Sequence, residues 1–420
     1  MSQIVQVSSI SRNTRCRACK GETFSKVFSF GPTPPANAFL IGEADIEHEQ
    51  WFPLDVYFCK TCSLLQLLDI VHPDILFREY VYVSSTSPVF VAHFESFTED
   101  VLQSYVSGEQ PFVIDIGSND GILLRPFQRR GARVLGVDPA HAIAAQATAS
   151  GIPTLPHYFT PKLAEDIVRE HGRARIITGT NVFAHVNDLD ELLSGVKEAL
   201  DPVHGVFIVE VPYLVDFLEK NLFDMIYHEH LSYFAVRPLQ KLFTRLGMQV
   251  FDVERVSSHG GSIRVFAQLK GGTYAVSRRV EQLSQSEEKQ TLHTETPYRA
   301  FAARVEKNKR ELFLLLKSLQ RGGHMIAGYG APAKGNTLLN YFGITKDMLM
   351  YIVDDSSWKQ NRLTPGTHIP VVADRELQER RPDYILILAW NFADPIMKKL
   401  NSFSASGGKF IIPVPEPHIV

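Results

Sequence analysis

Tyr227-His-Glu-His230-Leu-Ser-Tyr233 places two phenols, two imidazoles and a carboxylate in one short string. Zinc proteases space their histidines at i and i+4 on one helical face, whereas here they stand at i and i+2, which suits metal binding poorly. An imidazole titrates near neutrality, and beside an acid it suits general-base work. His230 is the expected base, with Glu229 or another acid orienting it and Tyr227 close by. The string follows a strand ending at Glu210-Val-Pro212, at the carboxyl edge of an open sheet, where ligands bind in α/β folds. His185, in Gly179-Thr-Asn-Val-Phe-Ala-His185, should reach the same crevice. So should Tyr80 and Tyr82 of Glu79-Tyr-Val-Tyr-Val-Ser-Ser-Thr-Ser87, although tyrosines in such a run serve equally well as core. The turn His259-Gly-Gly-Ser-Ile-Arg264 adds His259, Ser262 and Arg264 as polar groups.

A second chemical feature is Asp115-Ile-Gly117-Ser-Asn-Asp-Gly121, between an apolar strand and a helical stretch. Glycines there let a ligand approach the backbone. The turn departs from the dinucleotide pattern G-x-G-x-x-G, and Asp120 would repel a pyrophosphate. An acidic loop suits a cationic cofactor without phosphate, which describes S-adenosylmethionine. Asp115, Gly117, Ser118, Asn119, Asp120 and Gly121 would line it, together with Asn181. Asp138, at the end of the next strand, would accept from the ribose hydroxyls. The alternative is a sugar-nucleotide or NAD site at the same place.

The four cysteines of the chain form two pairs, Cys16-Arg-Ala-Cys19 and Cys59-Lys-Thr-Cys62. Two such knuckles close a tetrahedral shell with no open position, the arrangement of structural zinc. Two disulfides or four buried thiols are the alternatives. The first residues lack a secretory pattern, which disfavours disulfides and favours a cytoplasmic protein.

These groups need elements to position them. Residues 1–75 hold the cysteines and a Pro-rich insert, Gly31 to Phe39, expected to be irregular and to wrap the ribbon; Leu54 to Phe58 reads as a strand. Residues 76–290 alternate strands and helices. Strands are expected at Pro111–Ile116, Arg133–Val137, Arg175–Thr178 and Val206–Val211. A helix starts at Asp188, with Glu191 completing a capping box, and another opens at Pro238. Two consecutive strands, Gln249–Val256 and Ser262–Leu269, then imply a mainly parallel sheet with one antiparallel strand at its end. This is the outline of a class I methyltransferase. After a polar stretch and a long helix, residues 291–420 begin a second Rossmann-like unit: strand His324–Ala327, the glycine turn Gly328–Gly335, a helix from Asn336, and strands at Met350–Val353 and Tyr384–Leu388. The fold class is therefore α/β: a four-cysteine zinc ribbon, a central Rossmann-like methyltransferase domain and a second α/β domain.

A length of 420 residues exceeds one core, and 45% hydrophobic with 21% charged residues is an ordinary globular composition. The net charge of −3 counts against a nucleic-acid-binding zinc ribbon, which needs surplus Lys and Arg. No apolar run reaches the roughly 18 residues that span a bilayer.

The four-cysteine ribbon with its Pro-rich insert, YHEHLSYF, HGGSIR, and GYGAPAKGNTLLNYF followed by VDDS together resemble a known family across the whole chain. It is that of the three-domain, S-adenosylmethionine-dependent C-methyltransferases of nucleotide-linked deoxysugars, which act in antibiotic and cell-surface sugar pathways. The resemblance implies a dTDP-4-keto-6-deoxysugar held between the central and C-terminal domains and methylated at C3 or C5. It places the base at His230, with Tyr227, Glu229, His185 and Tyr80 or Tyr82 around it. On the C-terminal turn, Tyr329, Lys334 and Asn336 are expected to bind the sugar nucleotide, unless the turn merely joins strand to helix. A monomer with structural zinc is expected. The rivals are an O- or N-methyltransferase sharing the cofactor loop, the nucleic-acid binder, and a non-enzymatic scaffold.

Overall fold

A computed structural model describes residues 9–77, 88–108 and 110–420. Tyr80 and Tyr82 lie outside the described residues. The N-terminal unit is built from β1 (Ile10–Arg12), β2 (Phe24–Thr33), β3 (Phe52–Cys59), β4 (Leu65–Leu67) and β5 (Asp69–Val71). Alternation sets β3: Phe52, Leu54, Val56 and Phe58 are buried while residues between them are partly or fully exposed. β2 pairs with it antiparallel, from Phe24 opposite Cys59 to Thr33 opposite Phe52, with register shifts after Lys26 and Ser29.

The Pro-rich insert corrects two expectations. Its first residues are regular, because β2 is an edge strand and Pro32 follows an irregularity in the register, where a missing donor costs no ladder bond. The remainder reaches the C-terminal unit rather than encircling the ribbon. Leu40 bridges Leu363, Phe39 meets Trp358 edge-on at 5.8 Å, and Ala36 accepts from Asn336.

The central sheet comprises β6 (Phe112–Ile116), β7 (Arg133–Val137), β8 (Thr154–Leu155), β9 (Ile176–Thr180) and β10 (Val206–Pro212). Beyond β11 (Ser232–Tyr233), which belongs elsewhere, it continues with β12 (Met248–Val256) and β13 (Ser262–Leu269). The order is β12-β13-β10-β9-β6-β7-β8. The antiparallel strand is thus inside the sheet and not at its end: β12 takes the edge, and β13 turns back to fill the gap beside β10. β11 joins the N-terminal sheet, whose order is β11-β4-β3-β2.

Two helices show how local chemistry sets the frame. The Leu189–Ala199 helix is capped by Asp188, whose carboxylate accepts from the amides of Asp190 and Glu191 at 3.1 and 3.0 Å. The next expected helix starts at Val236, before Pro238, which sits in the first turn where no amide bond is lost. Its free amides at Val236 and Arg237 are met by the buried Glu287, at 2.7 and 3.3 Å, which also accepts from the Tyr213 hydroxyl at 2.9 Å.

After the Thr296–Arg321 helix, the C-terminal sheet consists of β14 (Ile326–Tyr329), β15 (Ile352–Val353), β16 (Arg362–Leu363), β17 (Pro370–Val372), β18 (Tyr384–Ile387), β19 (Lys409–Ile412) and β20 (His418–Ile419). Its order is β16-β17-β15-β14-β18-β19-β20, parallel except for the two edges. Strand and helix both differ from expectation: β14 begins at Ile326, and its helix begins at Ala333, placing Lys334 in the first turn. The architecture is a four-cysteine N-terminal region, a central Rossmann-like α/β domain and a second α/β domain. Among the described residues no helix is long and apolar enough to cross a membrane.

Glu287→Ala leaves the Tyr213 hydroxyl and two helix amides unmet in a buried place. It is expected to cost about 2–4 kcal/mol in urea unfolding. An unchanged midpoint would show that water replaces the carboxylate freely.

Candidate active site and zinc centre

The two cysteine knuckles are built alike. Lys20 and Ser63, each just after a pair, adopt positive φ of 64° and 69°, and their amides bond back to Cys16 and Cys59 at 2.9 and 2.8 Å. The four sulfurs lie within 4.8 Å of one another, with 3.5 Å between Cys16 and Cys62 and 3.6 Å between Cys19 and Cys59. A tetrahedral zinc with Zn–S of about 2.3 Å needs sulfurs roughly 3.8 Å apart. All four are free thiols and three are buried. Gln66 donates to Cys16 Sγ at 3.1 Å and the Gly21 amide to Cys19 Sγ at 3.4 Å, the outer bonds a thiolate shell needs. Among the described residues this is the one group of three or more such ligands, and neither histidine of the HEH string belongs to it.

The glycine turn after β6 is tightly constrained. Gly117 and Gly121 have φ of 70° and 80°, and a Cβ on Gly117 would stand 2.2 Å from Val182. Asn119 also has positive φ, and its amide donates to Asp138 Oδ2 at 2.8 Å; the Ala140 amide takes Oδ1 at 2.9 Å. Each oxygen keeps a lone pair for a ribose hydroxyl. Asp120 Oδ1 and Asn181 Oδ1 are buried without a protein partner, as acceptors awaiting a ligand's donors would be. These residues fit a positively charged nucleoside cofactor. Two expected members face elsewhere. Asp115 turns into the sheet against Thr178 at 2.6 Å, and burial pushes its carboxyl up to about 7. Ser118 Oγ lies under the loop, where it would crowd a Cβ on Gly136 at 2.4 Å.

The histidine string separates by residue. His230 Nδ1 lies 2.7 Å from the Met225 carbonyl, which can only accept, so Nδ1 carries hydrogen. Nε2 then faces the Tyr227 hydroxyl at 2.9 Å as acceptor. The His185 ring meets His230 edge-on with centroids 4.8 Å apart. Glu229 does not orient His230, contrary to expectation. Successive residues point apart, and its buried carboxylate accepts from Asn37 of the Pro-rich insert at 2.7 Å. Burial holds Glu229 up at about 7. His228 points into the ribbon, 3.3 Å from the Phe52 carbonyl, and burial lowers it to about 4.

The hairpin residues are used internally. Arg264 pairs with the fully buried Glu210 at 3.1 Å and lies over the Phe97 ring, and Ser262 donates to the Ser258 carbonyl at 3.0 Å. Glu210 also binds Ser258 and His93, each at 2.8 Å. The side chain of His259 lies outside the described residues. On the C-terminal turn, Tyr329 departs from its neighbours: its hydroxyl meets Asp355 at 3.2 Å and Lys399 at 2.8 Å on the far side of β14. Lys334 and Asn336 do come to the junction of all three units. The Lys334 ammonium bonds Asn391 and stands 4.8 Å over Trp390, whose indole donates to the buried Asp224 at 2.5 Å. Burial lowers Lys334 to about 8, and it raises Asp224 to about 6 against the pull of Lys334. Asn336 donates to Ala36, while its own buried oxygen has no protein partner. Asp224, Trp390, Asn391 and Asn37 belong to no catalytic or binding motif of the sequence, because contacts between distant segments bring them to this junction.

A glycine turn closed by a second-strand acid, a four-thiolate centre and a paired imidazole define an S-adenosylmethionine-dependent methyltransferase with a zinc domain. Family profiles agree part by part: a zinc binding domain at residues 16–77, a methyltransferase domain at 96–253 and a C-methyltransferase C-terminal domain at 257–415. The chain is 38% identical over 405 residues to the C-methyltransferase NovU of Streptomyces niveus, covering 96% of each chain. It belongs to this C-methyltransferase family and is an enzyme using S-adenosylmethionine. The ubiquinone biosynthesis O-methyltransferase of Bartonella bacilliformis is 25% identical over 158 residues, 33% of this chain and 60% of that one.

Two outcomes follow. Cys16→Ser opens the shell, and since structural zinc can contribute on the order of 10 kcal/mol to folding, it should yield a poorly folded N-terminal unit with little zinc. Elemental analysis well below one zinc per native chain would refute the centre. Asp138→Ala should weaken S-adenosylmethionine by about 1.5–3 kcal/mol, the range for hydrogen bonds to a charged group; calorimetry showing unchanged affinity would displace the cofactor from this loop.

Proposed function

We propose that the enzyme methylates a nucleotide-linked, dTDP-4-keto-6-deoxysugar at the carbon beside the ketone, C3 or C5, through an enolate. The observation that carries this reading is the His230 ring held at Nδ1 by a carbonyl, with Nε2 directed at Tyr227. A saturated sugar carbon is not nucleophilic, but a C4 ketone acidifies its neighbouring C–H. His230 Nε2 takes that proton, and the charge moves to the C4 oxygen. Tyr227 or His185 donates to that oxygen as an oxyanion hole does. S-adenosylmethionine, bound at the glycine turn, would supply an electrophilic methyl for the enolate carbon, its S–CH3 bond breaking and S-adenosylhomocysteine leaving with the electron pair on sulfur. Proton transfer by a positioned base is worth about 10²–10⁴ in rate.

Support for the sugar nucleotide comes from the junction of the three units. Lys334 offers a cation at the start of a helix, and Asn336 offers an unmet acceptor. The reading takes residues 1–75, 76–290 and 291–420 as zinc, cofactor and sugar-nucleotide domains of a cytoplasmic monomer in deoxysugar or antibiotic biosynthesis. The O-methyltransferase relative matches 33% of this chain, against 96% for the C-methyltransferase, so it favours no oxygen acceptor here.

His230→Ala should keep the fold and both ligands while turnover falls by roughly two or more orders of magnitude. Near-normal methylation would make His185 the base instead. Lys334→Ala should raise KM for the sugar nucleotide and leave S-adenosylmethionine binding alone; the reverse pattern would remove the assignment.

A further inference from the structure

The first knuckle contains an arginine that the reaction described above does not use. Arg17 is 2% exposed. A guanidinium is costly to bury unless its donors are met. Nη1 donates to the carbonyls of Leu67 at 2.6 Å and Leu231 at 3.2 Å, and to Gln66 Oε1 at 3.3 Å. Nε donates to Asn187 Oδ1 at 3.1 Å, while Nη2 is buried without a protein partner, so the bonds of Nε and Nη1 alone hold the side chain. Leu67 and Gln66 belong to the ribbon. Leu231 follows His230, and Asn187 follows the short turn of His185.

Leu231 is gripped twice more. Its amide donates to the Ala184 carbonyl at 2.8 Å, and its carbonyl accepts from the Leu67 amide at 2.9 Å. On the other side, the Arg17 amide reaches Gln66 Oε1 at 3.2 Å, and Gln66 donates to Cys16 Sγ. An unbroken run of hydrogen bonds therefore leads from a zinc thiolate through Gln66 and Arg17 to the two peptide segments whose imidazoles meet in the crevice.

We infer that Arg17 is a positioning residue, which locks the segments carrying His230 and His185 onto the zinc knuckle and so sets where the base nitrogen stands. The inference rests on the reading of His230 as the base. A lysine keeps the charge but cannot span Leu67, Leu231 and Asn187 with one ammonium. Displacing a base by about 1 Å can cost on the order of 10²-fold in rate.

The test compares wild-type, Arg17→Lys and Asn187→Ala holoenzymes. Arg17→Lys is expected to retain one zinc per chain, with KM for the sugar nucleotide and Kd for S-adenosylhomocysteine within about twofold, while kcat falls about 10–100-fold. The NMR titration of the His230 imidazole, which needs no substrate, should move in the variant while those of exposed histidines stay. A role confined to holding the fold would lower zinc content or stability and leave both readouts of the folded fraction unmoved. An unchanged kcat and an unmoved His230 titration with zinc retained overturn the inference. If Arg17→Lys sheds zinc, Asn187→Ala, which removes the Nε acceptor and leaves the knuckle intact, is judged by the same two outcomes. Full activity of His230→Ala would instead overturn the base assignment, whatever the Arg17 variants do.

Discussion

The pairing of Ser232–Tyr233 with Leu65–Gln66 is the constraint on which the site depends. It makes the segment just after His230 the edge strand of a sheet whose other strands carry or flank the zinc knuckles. A short strand of two residues has little stability of its own. It is held because Gln66 is fixed by its bond to Cys16 Sγ, because the Leu67 amide donates to the Leu231 carbonyl, and because the Leu231 amide is anchored to the central unit at Ala184. The four-cysteine cluster thereby sets the geometry of the segment that bears His230.

A second organising feature is the distribution of buried carboxyls. Asp115, Glu229 and Asp224 are raised towards neutrality because burial outweighs their hydrogen bonds. Glu210 is equally buried but lowered, since His93, Arg264 and Ser258 all favour its charged form. The difference follows from partners and not from depth. Glu210 ties the long Pro88–Tyr105 helix and the terminal hairpin to the sheet end, whereas Glu229 and Asp224 sit where the three units meet. There the Pro-rich insert supplies Asn37 to one unit and the Ala36 carbonyl to the other, so it works as a strap between them.

Much of this was legible from local pattern. The knuckles, the glycine turn with its second-strand acid, and the strand-helix alternation are short-range features whose spacing states their geometry. What escaped was set by contacts between distant residues. Adjacency in sequence suggests Glu229 as the partner of His230, but residues 227–230 form a turn closed by the His230 amide on the Tyr227 carbonyl at 2.9 Å, which sends the two side chains apart, and the partner of Glu229 lies 192 positions away. Arg264 and Ser262 looked like ligand groups until the hairpin folded them against Glu210 and Ser258. β13 was misplaced for a related reason: a hairpin's position in a sheet is decided by which strand it pairs with, not by its order in the chain. The start of the third unit slipped by a few residues because the Ala-Pro-Ala-Lys stretch reads as turn and as helix entry alike.

The central claim is that His230 generates a carbon nucleophile. It is tested most directly by incubating a dTDP-4-keto-6-deoxysugar with S-adenosylhomocysteine in deuterated water and following each sugar hydrogen by NMR. The account predicts that wild-type enzyme exchanges one hydrogen beside the ketone, and that His230→Ala slows this exchange by roughly two orders of magnitude or more. Exchange at the same rate in the two proteins would contradict it.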